Sequence, residues 1–542
     1  MGVAFIAYYR KGLGLTFFYD EWAFVLERRS WNLDTFLEPH GEHLSILPIL
    51  VFKLLFELVG LDDYWAYRVA VLAIHLLCVL LIFVYARRRV GDVLGLFTAA
   101  ALLFLGAAWQ DLIWPFVMSF PISLATGIGM LLALDRRDLR GDILAAVLLT
   151  LSLASSSLGI PFVVAALVEL GARRSTWNRI WLVAIPSLLF GVWLITYGPD
   201  ATPGAEEGLW PLFQENIPNA PPHVATAIAG AFGGLTGLGV DWGRPLALLA
   251  GIALGLRIAK PAPFPLRALA VICAALSFWG LMALYRAQLN TPVESRYLYP
   301  GAVFILIIVV ELARGIRVSH RGLVFLAVVL AAAVVANFGL LRAGSRQLQE
   351  HSSYVAPELG ALEIAGPGTE PSFSPDPVRA PVLTAGPYFD AIRELGSPAD
   401  TVEEIRRRPD QQRQAADNVL LQALGVGLQP APTAPAAFAA PKVEAAVGGE
   451  TSKRALCVSF TPSAPGGAVD LTLPLTGMVI SSMGSTGAEV RLRQFAEAFP
   501  PSAYTVVSPG STQLLRVPAR RGAGQWHVRL TPTGPVRACG GS

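Results

Sequence analysis

Between residues 65 and 341 the apolar positions do not alternate; they gather in runs of about 15–22, near the length that crosses a bilayer core. The runs fall at 65–86, 92–108, 116–134, 142–156, 158–172, 180–197, 245–259, 267–285, 297–313 and 322–341, and most charged residues sit in the gaps. Each is read as a helix, because backbone groups in hydrocarbon need partners and a helix supplies its own. The stretch 142–172 is too long for one crossing and is expected as a short hairpin bent at the "SSSLG" of 155–159. Residues 223–239 resemble a further span. They are expected instead as an outer-surface or re-entrant helix, since counting them would move the following basic residues to the other side.

The pattern changes at both ends. Only about eight apolar residues precede Arg10 and Lys11, far short of the roughly 20 a crossing needs. This start has no basic region and no small-residue cleavage site, so it is not expected to be a signal peptide. It is expected as the second half of a helix whose first half is missing from the chain as given. Beyond 341, residues 385–425 have helical periodicity, and "QPAPTAPAAFAAPKVEAA" reads as a semi-rigid linker. From about residue 450, "VDLTLPL", "AEVRLRQF" and "QWHVRLTP" alternate between turn-forming clusters and predict a small β-sandwich. The expected architecture is an all-α polytopic membrane bundle of about 11 helices over 1–341. A helical segment with linker follows at 342–445, then the β-sandwich at 446–542.

Composition and charge sharpen this. Only 15% of the 542 residues are charged and 54% are hydrophobic, against about 25% charged in soluble domains. Arg87–Arg89, then Arg136, Arg137 and Arg140, then Arg173, Arg174 and Arg179, then Arg257, Lys260 and Arg267, then Arg314, Arg317 and Arg321 fill every second gap. The gaps 109–115 and 198–242 hold no Lys or Arg. That asymmetry predicts a multi-pass membrane protein with the arginine-rich loops inside, and the Ala/Gly/Arg-rich usage points to the cytoplasmic membrane of a bacterium. Loop 10–64 and everything after 341 then face outward. Cys78 and Cys273 lie in apolar runs and are read as small buried hydrophobes. Cys457 and Cys539 bracket the last domain, a spacing that suits a disulfide in an oxidising compartment, the alternative being two free thiols.

The candidate chemistry concentrates in the first outer loop. "GLTFFYDEWAFVLERRSW" places Asp20 beside Glu21 at an aromatic, apolar boundary, where unpaired carboxylates are costly. Twenty residues on, "FLEPHGEHLSILP" sets His40, Glu42 and His43 around a Pro and a Gly, so in a loop. The next segment, "ILPILVFKLLFELVGL", suits a helix lying at the membrane surface.

This order of features, an outward loop opening on adjacent acids, an interfacial helix with proline, then "DDYWAYRVAVLAIHLLCVLLIFVYARRRVG", resembles the GT-C superfamily of membrane glycosyltransferases. The resemblance covers residues 10–341 in outline and 17–91 in detail. It implies a polyprenyl-phosphate sugar donor and a catalytic carboxylate in the first outer loop, the place occupied by Asp20 and Glu21. A partly dehydrated carboxylate beside a second acid suits a base that deprotonates an acceptor hydroxyl. Asp20 is read as that base and Glu21 as orienting the acceptor or a divalent metal; the alternative is that the pair marks a helix exit and pairs with Arg28 or Arg29.

Arg296 in "LNTPVESRYLYP", with Tyr297 beside it, is the expected clamp for the lipid phosphate, against a local ion pair with Glu294. Arg68, at the outer end of a span, is a second candidate for that clamp. Asp111, between Trp109 and Trp114 in the second outer loop, is a further candidate for substrate binding. His40, Glu42 and His43 are read as acceptor-binding or as hydrogen-bonding within the loop, a divalent metal being the other use of such a set. His75, mid-span, is read as a neutral histidine bonded within the bundle, and Glu311 as a local pair with Arg314. The chain has no phosphate-binding glycine loop, no dinucleotide fingerprint and no CxxC pair, and no nucleic-acid partner is expected.

The expected activity is transfer of a sugar, with inversion, to an envelope glycan, lipid or protein at the outer face. The competing readings are a lipid-linked glycan flippase, which calls for an inverted repeat, and a non-catalytic envelope scaffold.

Overall fold

The computed structural model describes residues 1–172, 174–198, 209–260, 263–431, 440–483, 487–518 and 524–540. Of the Ala/Pro-rich linker expected near 430, residues 432–439 lie outside the described residues, and its two ends belong instead to the strands Leu428–Pro430 and Val443–Val447. The chain divides into two compact units. The first comprises Met1–Gly14, Glu27–Val59 and Tyr64–Gln349; the second comprises Leu15–Leu26, Gly60–Asp63 and Glu350–Ser542.

The first unit is helical. Among the described residues, seven helices are long and apolar enough to cross a membrane, or eight if the bent pair Leu209–Thr236 and Gly239–Ile258 counts as one. That compares with an expectation of about 11. The difference lies in short helices: Gly2–Lys11 has 10 residues, Leu139–Leu153 has 15 and Gly159–Gly171 has 13. The last two form a hairpin that breaks at Ala154–Leu158, where serines hydrogen-bond the preceding turn instead of continuing it.

The bent pair turns through 104° at Gly237, whose φ of +73° lies in the left-handed region open to glycine. Just beyond, a Cβ on Gly243 would stand 1.8 Å from the Ala229 carbonyl oxygen. The two helices pack this closely because glycine leaves the backbone bare. Asn337 ties this region in: its amide donates to Gly234 O at 3.0 Å, and its carbonyl accepts the Ala107 N–H at 2.9 Å.

Ion pairs close the arginine-rich end of the unit. Arg89 and the Tyr85 hydroxyl both bind Glu311, and Arg89 also reaches Asp135 at 3.1 Å. Arg267 pairs with Asp135 at 3.3 Å and with Glu169 at 2.6 Å; Arg179 grips Asp142 at 2.9 Å. The expected Glu311–Arg314 pair is therefore replaced by Glu311–Arg89. The helix carrying Glu311 stops at Leu312, while Arg89 comes from the neighbouring Trp65–Val90 helix. His75 is fully buried and its Nδ1 lies 2.8 Å from the Tyr299 hydroxyl. Cys78 is buried, whereas Cys273 is only half-buried.

The second unit is built from short helices and two antiparallel sheets. Val402–Arg407 starts with a capping box in which Thr401 and Glu404 bond each other's backbone N–H. The six-stranded sheet runs, by first residue, 428, 512, 478, 536, 457, 449, and the five-stranded sheet runs 443, 468, 527, 488, 505. Cys457 and Cys539 face each other on neighbouring strands and are joined as a disulfide. Asp417, on the helix Asp410–Ala423, accepts the N–H groups of Gln494, Phe495 and Ala496 at 3.0, 2.9 and 3.1 Å. With Asp410, which accepts the Glu497 N–H at 2.6 Å, that carboxylate ties this helix to the segment following the strand at 488.

Glu311→Ala leaves Arg89 without its buried counter-ion, so it is expected to destabilise the first unit by about 3–5 kcal/mol. Thermal unfolding in detergent checks this. Combining it with Arg89→Ala should cost less than the two losses added together, whereas additive losses would mean that the pair does not act as a unit.

Candidate functional site

The first unit gathers most of the predicted residues around the turn at 40–43 and the connector between the helices Leu266–Arg286 and Ser295–Leu312. The turn follows from its letters. Pro39 restricts the entry, and Gly41 takes φ +54°. The backbones of His40 and His43 then bond each other in both directions, at 3.0 and 3.2 Å. Glu42 projects from the tip of this turn and binds Arg286 through Nε at 2.9 Å and through Nη2. His43 Nδ1 lies 3.0 Å from the Ser157 hydroxyl, which itself donates to Glu42 O at 3.0 Å. The break in the serine hairpin thus braces the turn.

The connector is equally specified. Asn290 adopts φ +52°, a conformation asparagine tolerates, and Pro292 cannot continue a helix. The next helix opens with Ser295, whose hydroxyl donates to Ala107 O at 2.8 Å and accepts the Gln110 N–H at 3.2 Å. Gln110 in turn accepts the Arg296 N–H at 3.0 Å. These bonds set the short helix Trp109–Ile113 beside Arg296, whose charge acts on both Asp111 and His43. Asp111 is fully buried, and neither carboxylate oxygen meets a hydrogen-bond partner from another described residue. Arg296 reaches Glu294 at 3.3 Å and lies 5.4 Å from the Tyr297 ring. Tyr297 stacks on Phe120 at 6.4 Å, and Phe120 meets the edge of His43 at 6.0 Å.

Arg286, Ser157, Gln110 and Phe120 did not stand out in the sequence. Arg286 had a usable signal: with Arg296 it puts two arginines on a connector that the positive-inside pattern assigns to the arginine-poor side. Arg68 belongs elsewhere. It donates to the Tyr9 carbonyl and sits 4.2 Å from the Tyr9 ring centroid, tying the first helix to Trp65–Val90. Arg28 is engaged by Glu38 at 2.8 Å and by Pro39 O at 2.9 Å. Among the described residues no three His, Cys, Asp or Glu side chains come together as a metal-binding set, so His40, Glu42 and His43 do not form one.

Asp20 and Glu21 belong to the second unit. Tyr19, at φ +53°, turns the chain into the helix Glu21–Glu27, and its N–H donates to Arg379 O at 2.6 Å. Glu21 is fully buried and accepts the Phe18 N–H at 3.2 Å; Asp20 is half-buried. Trp22 meets Tyr388 edge-on at 5.8 Å, and Tyr388 donates to Glu363 at 2.7 Å.

Burial works to raise the Glu42 carboxyl, but His43 and the Arg286 guanidinium outweigh it and hold it at about 2. Burial, Arg28 and His43 push His40 down from 6.5 to about 4, against a smaller pull from Glu42. Burial also lowers His43. For His40 the unfolded chain binds more protons between about 4 and 6.5, so stability rises with pH across that window and falls on acidification. For Glu42 the loss follows at lower pH, between about 4.5 and 2. The Tm of the wild type is therefore expected to drop as pH falls from 6.5 towards 4, and His40→Gln to flatten that slope. Equal slopes in the two proteins would remove His40 from the account.

No protein-family model and no curated protein matches the chain. Among solved structures it is similar to ArnT from Cupriavidus metallidurans, solved bound to undecaprenyl phosphate, at 17% identity and a TM-score of 0.44. That similarity covers 74% of this chain and 84% of the other. The apo state of the same protein is similar at 16% identity and a TM-score of 0.42, over 69% and 80% of the two chains.

Proposed function

We propose that this protein is a GT-C-type glycosyltransferase of the bacterial cytoplasmic membrane, with about 11 helices in the bilayer and its C-terminal regions outside. It moves a sugar from a polyprenyl-phosphate donor to an envelope glycan, lipid or protein at the outer face. The observation that supports this most is the cation-bearing connector at 286–296. It carries Arg286 and Arg296 at the end of the bundle opposite the Arg89–Arg267 ion pairs, with the buried Asp111 carboxylate close by. The Arg296 backbone is fixed by Gln110 while its guanidinium is only loosely paired at 3.3 Å, and such a group at the membrane boundary suits a lipid-borne phosphate.

In the proposed reaction Asp20 takes the proton of the acceptor hydroxyl as its oxygen attacks the anomeric carbon. The bond from that carbon to the phosphate oxygen breaks, and the electron pair leaves with the polyprenyl phosphate. Arg296 balances the charge that builds on this leaving group. Glu21 orients the acceptor, and Asp111, Glu42 and the histidines provide hydrogen-bonding groups for sugar hydroxyls.

Transfer of radiolabelled sugar from defined polyprenyl-phosphate donors, in membranes at matched expression, tests this. Asp20→Asn is expected to lower kcat by about 10²–10⁴-fold. Arg296→Ala is expected to raise the donor KM by about 10–100-fold, the loss of one charged hydrogen-bonding partner. Wild-type rates in Asp20→Asn and Glu21→Gln would keep the enzyme and discard the acidic pair as its site. Lipid-linked glycan that changes leaflet without transfer would favour the flippase.

A further inference from the structure

The chain places its acidic pair on the second unit, far in sequence from the residues that hold it. Several of the contacts around it can be traced within that unit. Asp376 accepts the N–H groups of Val378 and Arg379 at 3.0 and 2.9 Å and pairs with the Arg379 guanidinium at 3.1 Å. Its carbonyl closes the same turn on the Ala380 N–H at 2.9 Å. Arg379 is pinned a second time, over the Tyr354 ring at 4.1 Å. Asp376 itself is buried, with the buried Glu358 carboxyl near it. So the Arg379 carbonyl has little freedom, and it receives the Tyr19 N–H at 2.6 Å.

Tyr19 is the residue whose unusual φ of +53° starts the Asp20–Glu21 turn. A non-glycine residue holds such a conformation only where its surroundings impose it. The Trp22–Tyr388 contact secures the other side of the turn, and Tyr388 is held by Glu363. The far end of the first loop is anchored likewise: the Leu61 N–H donates to Leu395 O at 2.7 Å, and Asp62 accepts the Ser397 N–H at 2.8 Å.

We infer that the 376–380 turn of the second unit is the positioning element of the proposed base: Asp376, acting through Arg379 and the Tyr19 backbone, sets where the Asp20 carboxylate stands. This rests on the reading of Asp20 as base. Asp376 touches no substrate. It matters because a small displacement of a base costs rate far out of proportion to the stability lost.

The test uses the full chain in detergent or nanodiscs, with two readouts on the same protein. Asp376→Ala is expected to speed hydrogen exchange over residues 18–24 by about tenfold or more and to leave 410–423 unchanged. In the transfer assay it is expected to lower kcat by about 10–100-fold, keep the donor KM within about twofold and displace the acidic limb of the kcat–pH profile. Asp376→Asn keeps a carbonyl oxygen for the two N–H groups and should recover most of the rate.

If Asp376→Ala does not fold, Arg379→Met removes only the guanidinium and is expected to move both readouts in the same direction by less. Unchanged exchange at 18–24 in either folded variant overturns the inference. So does a loss of rate with an unmoved pH profile, which a merely structural role would give. Asp20→Asn, run alongside, separates the two ideas. Wild-type kcat there ends the reading of Asp20 as base, while its loss beside a normal Asp376→Ala ends only the positioning role.

Discussion

A charge inside an apolar bundle needs a counter-charge, and the first unit is organised around that need. At one end, Arg89, Arg267 and Arg179 each find an acid carried by a different helix, so meeting the requirement also fixes which helices are neighbours. At the other end, Arg286 and Glu42 satisfy each other, and through them the 40–43 turn is fastened to the end of the Leu266–Arg286 helix. Against this background Asp111 stands apart. A buried carboxylate whose oxygens find no hydrogen-bond partner among the other described residues is an expensive thing to keep, and such groups concentrate where a protein does chemistry.

Much of the helical layout was legible because hydrophobic length is read directly. The "SSSLG" break and the "PHGEH" turn were legible because serine, proline and glycine act locally. Partners across helices were not. Glu311 looked like a mate for Arg314 because sequence proximity was the only guide, yet the helix ends first and the ion pair forms sideways with Arg89. Arg286 was passed over for a related reason: its importance depends on Glu42, 244 positions away. The expected count of about 11 exceeds the seven or eight long apolar helices because three helices are shorter than a bilayer, and an apolar run does not announce where its hydrogen bonding stops.

The least legible feature is the division of the first loop between two units. Residues 15–26 and 60–63 lie with the C-terminal portion, while the segment between them lies with the bundle. No periodicity signals this. The bonds from Tyr19 to Arg379 and from Leu61 to Leu395 link positions more than 300 residues apart through backbone groups that every residue possesses. A loop that appears in the sequence as one chemical region is, in the fold, shared property.

Lys53 shows how narrow a single position can be. Its ammonium is buried and donates to three consecutive carbonyls, of Arg28, Arg29 and Ser30, at 2.9, 2.9 and 2.5 Å. The rings of Trp31 and Phe36 lie 4.6 and 5.6 Å away. Only five of the chain's 42 basic residues are lysines. Three acceptors converging on one tetrahedral nitrogen cannot be served by the flat fan of a guanidinium. The site therefore discriminates between two amino acids that a membrane-topology rule treats as one, and a lineage replacing lysine with arginine would meet resistance here.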